Sequence, residues 1–127
     1  MSFQLLSEEA VDEIHDSALN PGELRGRARD KSLAGALARI ENRLVYGMIE
    51  DVLDLAAMYA VAVATGQCFN DANKRTAFRV MNAALRLNGA RVAWTVEEVG
   101  PLIVEVAQGR VDAEALAAWL RGKAGGG

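Results

Sequence analysis

The sequence predicts an all-α chain, and three observations predict it. Ala and Leu dominate the composition, only two prolines occur in 127 residues, and runs of β-branched residues are few. Apolar residues recur at helical spacing in successive blocks, mostly opened by a capping residue and closed by glycine. The longest block is apolar nearly all round, as expected of a helix buried at the centre of a bundle. One core suits a chain of this length, so 1–127 reads as a single-domain helical bundle of about six helices. No internal repeat, low-complexity segment or linker divides it.

Ser7-Glu8-Glu9 opens the first helix, with Ser7 as N-cap and acids complementing the dipole. Ala10, Val11, Ile14 and Ala18 form its buried stripe. His15, the only histidine, reads as a structural side chain hydrogen-bonded near the helix end. A catalytic role would require this helix to pack against the loop described below. Asn20-Pro21-Gly22 signals a loop over Leu19 to Arg29, carrying Arg25, Arg27 and Arg29. It reads as a solvated loop, and a flap over a ligand is the functional version.

Asp30 is the expected cap of the second helix, whose stripe is Leu33, Leu37, Ile40, Leu44 and Tyr46, ending at Gly47. Arg39, Glu41 and Arg43 suit exposed ion pairs. The third helix spans Ile49 to Thr65, with Ile49, Val52, Ala56, Tyr59 and Val63 on one face, and is closed by Gly66. A fourth helix runs from about Asp71 to Asn88, buried through Phe78, Met81 and Leu85. Ala90 to Trp94 is a short extended connection. Thr95-x-x-Glu98 is a capping box opening the fifth helix, where Pro101 sits deep enough to imply a kink or a later start. Gly109 stops it. Asp112 caps the last helix, with Leu116, Trp119 and Leu120 apolar, and residues 122–127 should fray.

The stretch Gln67-Cys68-Phe69-Asn70-Asp71-Ala72-Asn73-Lys74-Arg75-Thr76-Ala77 joins the two central helices. A simple bundle does not need so many charged and amide side chains at such a junction. The first turn of a helix leaves backbone N–H groups unpaired, and its dipole favours an anion there. Lys74 adds a point charge and Arg75 a planar fork of donors. Together they suit phosphate. Asp71 is a hard-oxygen ligand suited to Mg²⁺ between phosphates, and Asn70 or Asn73 can cap the helix or contact a ligand. The same residues also suit a capped interhelical turn with solvated charges.

Phe69-Asn70-Asp71-Ala72-Asn73-Lys74-Arg75 resembles the signature of the Fic/Doc family, His-x-Phe-x-(Asp/Glu)-(Gly/Ala)-Asn-(Gly/Lys)-Arg. The form Asp-Ala-Asn-Lys-Arg-Thr-Ala is similar to the short death-on-curing (Doc) toxins rather than to the longer Fic adenylyltransferases. Lys74 replaces the second Gly of the Fic loop, and Phe78 stands where a second Arg is expected. Ile14-His15-Asp16, Ala36-Leu37-Ala38-Arg39 and Val45-Tyr46-Gly47 extend the resemblance over most of the chain. It implies ATP and Mg²⁺ as cofactors, with Asp71 on the metal and Phe69, Asn70, Asp71, Ala72, Asn73, Lys74 and Arg75 forming the nucleotide loop. It also implies transfer of the γ-phosphate to a hydroxyl of translation elongation factor Tu, with arrest of translation.

One position departs from the family. Its motif His, the general base, aligns with Gln67. A carboxamide accepts a hydrogen bond but has no useful basicity near neutral pH. Loss of a general base costs on the order of 10²–10⁴ in rate, whereas positioning and charge stabilisation of a loose phosphoryl transition state survive it. The expectation is a weakened enzyme that still binds nucleotide. Gln67, Lys74 and Arg75 are the residues nearest the chemistry.

Composition sets limits on other readings. A net charge of −3 argues against direct nucleic-acid binding. The single Cys68 gives neither a disulfide nor a metal framework and reads as a half-buried packing residue. No secretory signal is visible, and the longest apolar run is too short for a bilayer, so no membrane is expected and the location reads as cytoplasmic. Two alternatives accompany the kinase reading. One is a Fic-type adenylyltransferase, against which the missing second Arg counts. The other is a catalytically dead module binding a small antitoxin, whose C-terminal segment folds on binding in the helix-in-groove mode.

Overall fold

Val52–Gly66 is apolar on every side and therefore has to be surrounded. In the computed structural model, which describes residues 3–125, this segment is the central helix, α3. Leu55, Ala56, Ala57, Tyr59, Ala60, Val63 and Ala64 are all buried along it. The other helices are α1 (Glu8–Ala18), α2 (Leu33–Val45), α4 (Asn73–Leu87), α5 (Val96–Ala107) and α6 (Ala113–Gly125). Of these, α2, α4, α5 and α6 pack directly on α3, the α3–α4 contact being the most extensive, while α1 packs on α4 and α2. The described residues form six helices and no strand, so the all-α expectation holds. No described helix is long and apolar enough to cross a membrane.

Most boundaries follow local capping chemistry. The Ser7 side chain accepts from the Ala10 N–H, opening α1. Thr95 and Glu98 form the reciprocal capping box of α5, and Asp112 accepts from the Ala115 N–H at 2.8 Å to open α6. The boundaries of α2 and α3 differ from expectation. Ser32, not Asp30, caps α2 through Gly35 N–H at 2.9 Å; Asp30 instead adopts a left-handed backbone with φ 65°. Tyr46 follows the last residue of α2 and is 78% exposed, so it leaves the buried stripe. Asp51 caps α3, accepting from Asp54 N–H at 2.9 Å, which places Ile49 before the helix although it remains buried.

The expected opening of α5 at Thr95 holds. This helix begins at Val96 and carries Pro101 within it, so no later start occurs. Proline removes the N–H that would bond the Glu97 carbonyl, and Glu97 is exposed at the start of the helix, where water can take that place. The preceding residue is Gly100, whose missing Cβ relieves the usual pre-proline clash. Helix α6 runs through Gly122 to Gly125, where a frayed tail is the expectation; residues 126–127 lie outside the described residues. Arg39, Glu41 and Arg43 are exposed as expected, without ion pairs among the described residues.

Packing sets the position of the α3–α4 junction. Met81 and Leu85 of α4 are buried against α3, and Phe69, ahead of the helix, is 2% exposed. Trp94 meets Phe78 edge-on at 5.7 Å and Trp119 at 6.2 Å, which ties the α4–α5 connection to α6. These contacts hold both ends of the motif-bearing pair of helices, leaving residues 67–72 to span the gap.

Candidate functional site

Two left-handed residues shape the loop. Gln67 is the C-cap of α3 with φ 47° and ψ 45°, and Ala72 is the N-cap of α4 with φ 65° and ψ 28°. Gly66 is thus the last helical residue rather than the stop. A Cβ there would stand 3.1 Å from the Cys68 sulfur, so close approach requires the glycine. No side chain caps α4 among the described residues. Neither Asn70 nor Asn73 takes that part. The Asn73 amide instead closes the loop on itself, accepting from Phe69 N–H at 3.1 Å and donating to Phe69 C=O at 2.9 Å. The first amides of α4 are therefore left without a side-chain acceptor among the described residues, and the dipole favours negative charge at that end.

The left-handed alanine carries strain. For an L-residue with a Cβ this conformation costs roughly 1–2 kcal/mol, and glycine adopts it freely. Ala72→Gly is expected to stabilise the fold by about 1 kcal/mol, read as a higher urea midpoint at unchanged slope.

The charged residues divide into free and engaged groups. Lys74 is exposed with no ion-pair partner among the described residues, beside the uncapped amides. Asp71 accepts from the Leu24 N–H through Oδ2 at 2.8 Å, while Oδ1 has no protein partner among the described residues. One carboxylate oxygen is free for a cation. Mg²⁺ fits that donor set, because it binds through one or two carboxylates plus phosphates and keeps several waters. No group of three or more His, Cys, Asp and Glu side chains able to hold a metal by itself occurs among the described residues. Arg75 is engaged: it donates to Glu23 Oε1 and to the Ala18 carbonyl, each at 2.7 Å. Arg79 donates to Ser17 C=O at 3.0 Å and stays out of the loop.

The segment between α1 and α2 is a clasp on this loop, not a freely solvated one. Arg27 and Phe69 form an isolated antiparallel bridge, flanked by Ala28 N–H to Cys68 C=O at 2.8 Å and Asn70 N–H to Gly26 C=O at 3.1 Å. The Asn70 amide adds a bond to Arg25 C=O at 3.0 Å. Arg27 is held in turn by Asp12 and Glu8 of α1. Glu23 and Leu24 thus sit on Arg75 and Asp71, the two charged groups expected to meet phosphate and metal.

Arg75 holds the Glu23 carboxyl below the usual carboxylate range, helped by the Asn20 N–H. Its folded pKa is depressed, so its contribution is complete above the ordinary range and is lost as pH falls through the lowered value. Protection of the amides over residues 19–24, taken relative to the intrinsic exchange rate at each pH, should be constant at neutral pH and fall as acid protonates the lowered Glu23 carboxyl. At neutral pH Glu23 competes with any phosphate for Arg75. The pair is partly exposed, at 36% and 25%, so solvent screening keeps the effect small. Glu23→Ala is expected to tighten nucleotide binding by up to about fivefold, measured by calorimetric titration.

The Glu23–Arg75 contact escapes sequence reading. Glu23 follows a Pro-Gly turn with no local cue to a partner 52 residues away. His15 carries a readable cue, since Val11, His15 and Ala18 share one helical face, and all three are buried. Helix α1 does pack against the motif loop, but the His15 Nε2 is taken by the Asp71 carbonyl at 2.8 Å. His15 is buried and engaged, in keeping with a structural side chain. Cys68 is buried rather than half-buried, at 2%, and burial pushes its thiol up, so it is no nucleophile. A cavity of about 960 Å³ lies at the other end of α4, lined by Arg86, Arg91 and Lys123 among others, well away from the loop.

The chain resembles known proteins over most of its length. The profile of the Fic/DOC family matches residues 5–85, which include α1, the clasp, the whole 67–77 stretch and most of α4. A protein kinase doc from Escherichia phage P1 is 34% identical over 117 residues, covering 91% of this chain and 92% of that relative.

Proposed function

The chain belongs to the Fic/DOC family, and from that premise we propose that it is a Doc-like toxin whose reaction is ATP-dependent phosphotransfer, disabled at its general base. The observation that carries this reading is the uncapped α4 N-terminus with Lys74 free beside it and one Asp71 carboxylate oxygen unpartnered. A structural turn would cap those amides. A phosphate site leaves them open.

In this reading the α4 amides and Lys74 cradle the phosphates, with Asn73 holding the loop closed beneath them. Arg75 joins them once Glu23 is displaced. Asp71 would hold Mg²⁺ through its unpartnered oxygen, and the ion would supply neutralisation of phosphate charge. The γ-phosphorus breaks its bond to ADP and bonds to the attacking hydroxyl, whose proton must leave. A histidine at position 67 would take that proton, and Gln67 does not. Lys74 in place of a glycine, and Phe78 where a second cation would bind another phosphate, favour transfer of the γ-phosphate over adenylyl transfer. The proposed acceptor is a hydroxyl of elongation factor Tu, and the proposed site of action is the cytoplasm. The proposed partner is a small antitoxin whose C-terminal segment folds on binding.

The test incubates the protein with elongation factor Tu, Mg²⁺ and ATP labelled at either the α or the γ phosphate. Slow labelling from γ alone is expected. Label from α would replace the reading with adenylyl transfer. Tight binding of Mg²⁺-ATP with no transfer would leave a binding module that needs only its antitoxin.

A further inference from the structure

One contact of His15 goes beyond what packing requires. Its side chain is 1% exposed, and its ring lies flat on Phe69 with centroids 3.9 Å apart and planes 7° from parallel. A leucine or phenylalanine could fill that space. The imidazole adds a hydrogen bond to the Asp71 carbonyl at 2.8 Å. A carbonyl only accepts, so Nε2 carries the proton and donates. The other ring nitrogen, Nδ1, faces Asp16 at 3.6 Å, beyond hydrogen-bond reach.

The Asp71 carbonyl has no other donor among the described residues. The first backbone bond of α4 runs from Thr76 N–H to Ala72 C=O, one residue further on. Asp71 therefore stands outside the helix, immediately before a left-handed residue, where nothing in α4 fixes it. Two contacts fix it instead: His15 on its carbonyl and Leu24 N–H on one carboxylate oxygen. Phe69 is held by the same ring and by the Asn73 amide. His15 thus grips the loop at both ends of Phe69-Asn70-Asp71.

We propose that His15 is a positioning residue for the phosphate loop, setting through the Asp71 carbonyl and the Phe69 ring where the Asp71 carboxylate and the first α4 amides stand. The nucleotide part of this inference rests on the reading in the preceding section; the loop part does not.

Two variants separate the two contacts. His15→Gln places an amide nitrogen near the Nε2 position and loses the ring, while His15→Phe keeps the ring and loses the donor. Hydrogen exchange is measured over residues 68–75, over 24–28 and over α6, with Mg²⁺-ATP affinity alongside. A part-buried carbonyl left without its donor should speed exchange in His15→Phe by on the order of tenfold over 68–75 and 24–28, leaving α6 unchanged, and weaken Mg²⁺-ATP by a similar factor. His15→Gln should recover most of the affinity. Loop exchange equal to wild type in His15→Phe would overturn the inference. So would exchange raised equally in α6, which would mark His15 as a general packing residue. If the wild-type protein binds no Mg²⁺-ATP, the phosphotransfer reading falls, and the exchange pattern still decides the positioning role.

Discussion

Gln67→His is expected to raise phosphoryl transfer by on the order of 10²–10⁴, because it returns a base of suitable pKa to the one position where the family places it. The fold should accept the change. Gln67 is exposed, so no cavity or overpacking follows. Its backbone is left-handed, at φ 47°, a region in which histidine is several-fold enriched over most side chains. The measurement is the initial rate of γ-label transfer to elongation factor Tu for the two proteins, with Mg²⁺-ATP affinity measured in parallel. The gain should fall on the rate and leave affinity within about twofold, since a base acts on the departing proton and not on the bound phosphates. Equal rates with equal affinities would remove Gln67 as the cause of weak activity.

Phe69→Ala should cost about 3–5 kcal/mol of stability, the usual range for a large aromatic lost from a packed core. Phe69 is 2% exposed, and its ring stacks on His15. Domains of this kind have only about 5–15 kcal/mol in hand, so the variant should sit close to unfolding at body temperature. Urea denaturation gives the number. Phe69→Leu refills most of the volume and should recover the larger part of the loss while leaving the His15 face unstacked. A cost below about 1 kcal/mol for Phe69→Ala would mean that the loop is held by its backbone bonds to residues 26–28 rather than by its anchor.

Much of the fold is legible in the sequence because it rests on short-range physics. Ser7, Thr95 and Asp112 cap helices by reaching three residues along the chain, and the apolar periodicity of 53–64 shows a buried helix before any partner is known. The errors are of the same short range. Asp30 and Ser32 are both good caps, and only the path of the preceding loop selects Ser32. Tyr46 continues the period of α2, yet the chain has already left the helix. Pro101 argues locally against an uninterrupted α5, and an adjacent glycine with an early carbonyl removes the conflict.

The helices, the central place of α3 and the family motif, with Gln67 where its histidine is expected, are all legible in the sequence. Those depend on residues within one or two turns of each other and on a pattern of side-chain types. Only the tertiary structure decided how the motif is held: Glu23 on Arg75, Leu24 on Asp71, and His15 on the Asp71 carbonyl and the Phe69 ring. These contacts join residues some 50 apart. They exist because packing α1 against α4 brings the intervening loop back over the junction, where unpaired backbone groups and charges must find partners. No local spacing encodes which partner each will find.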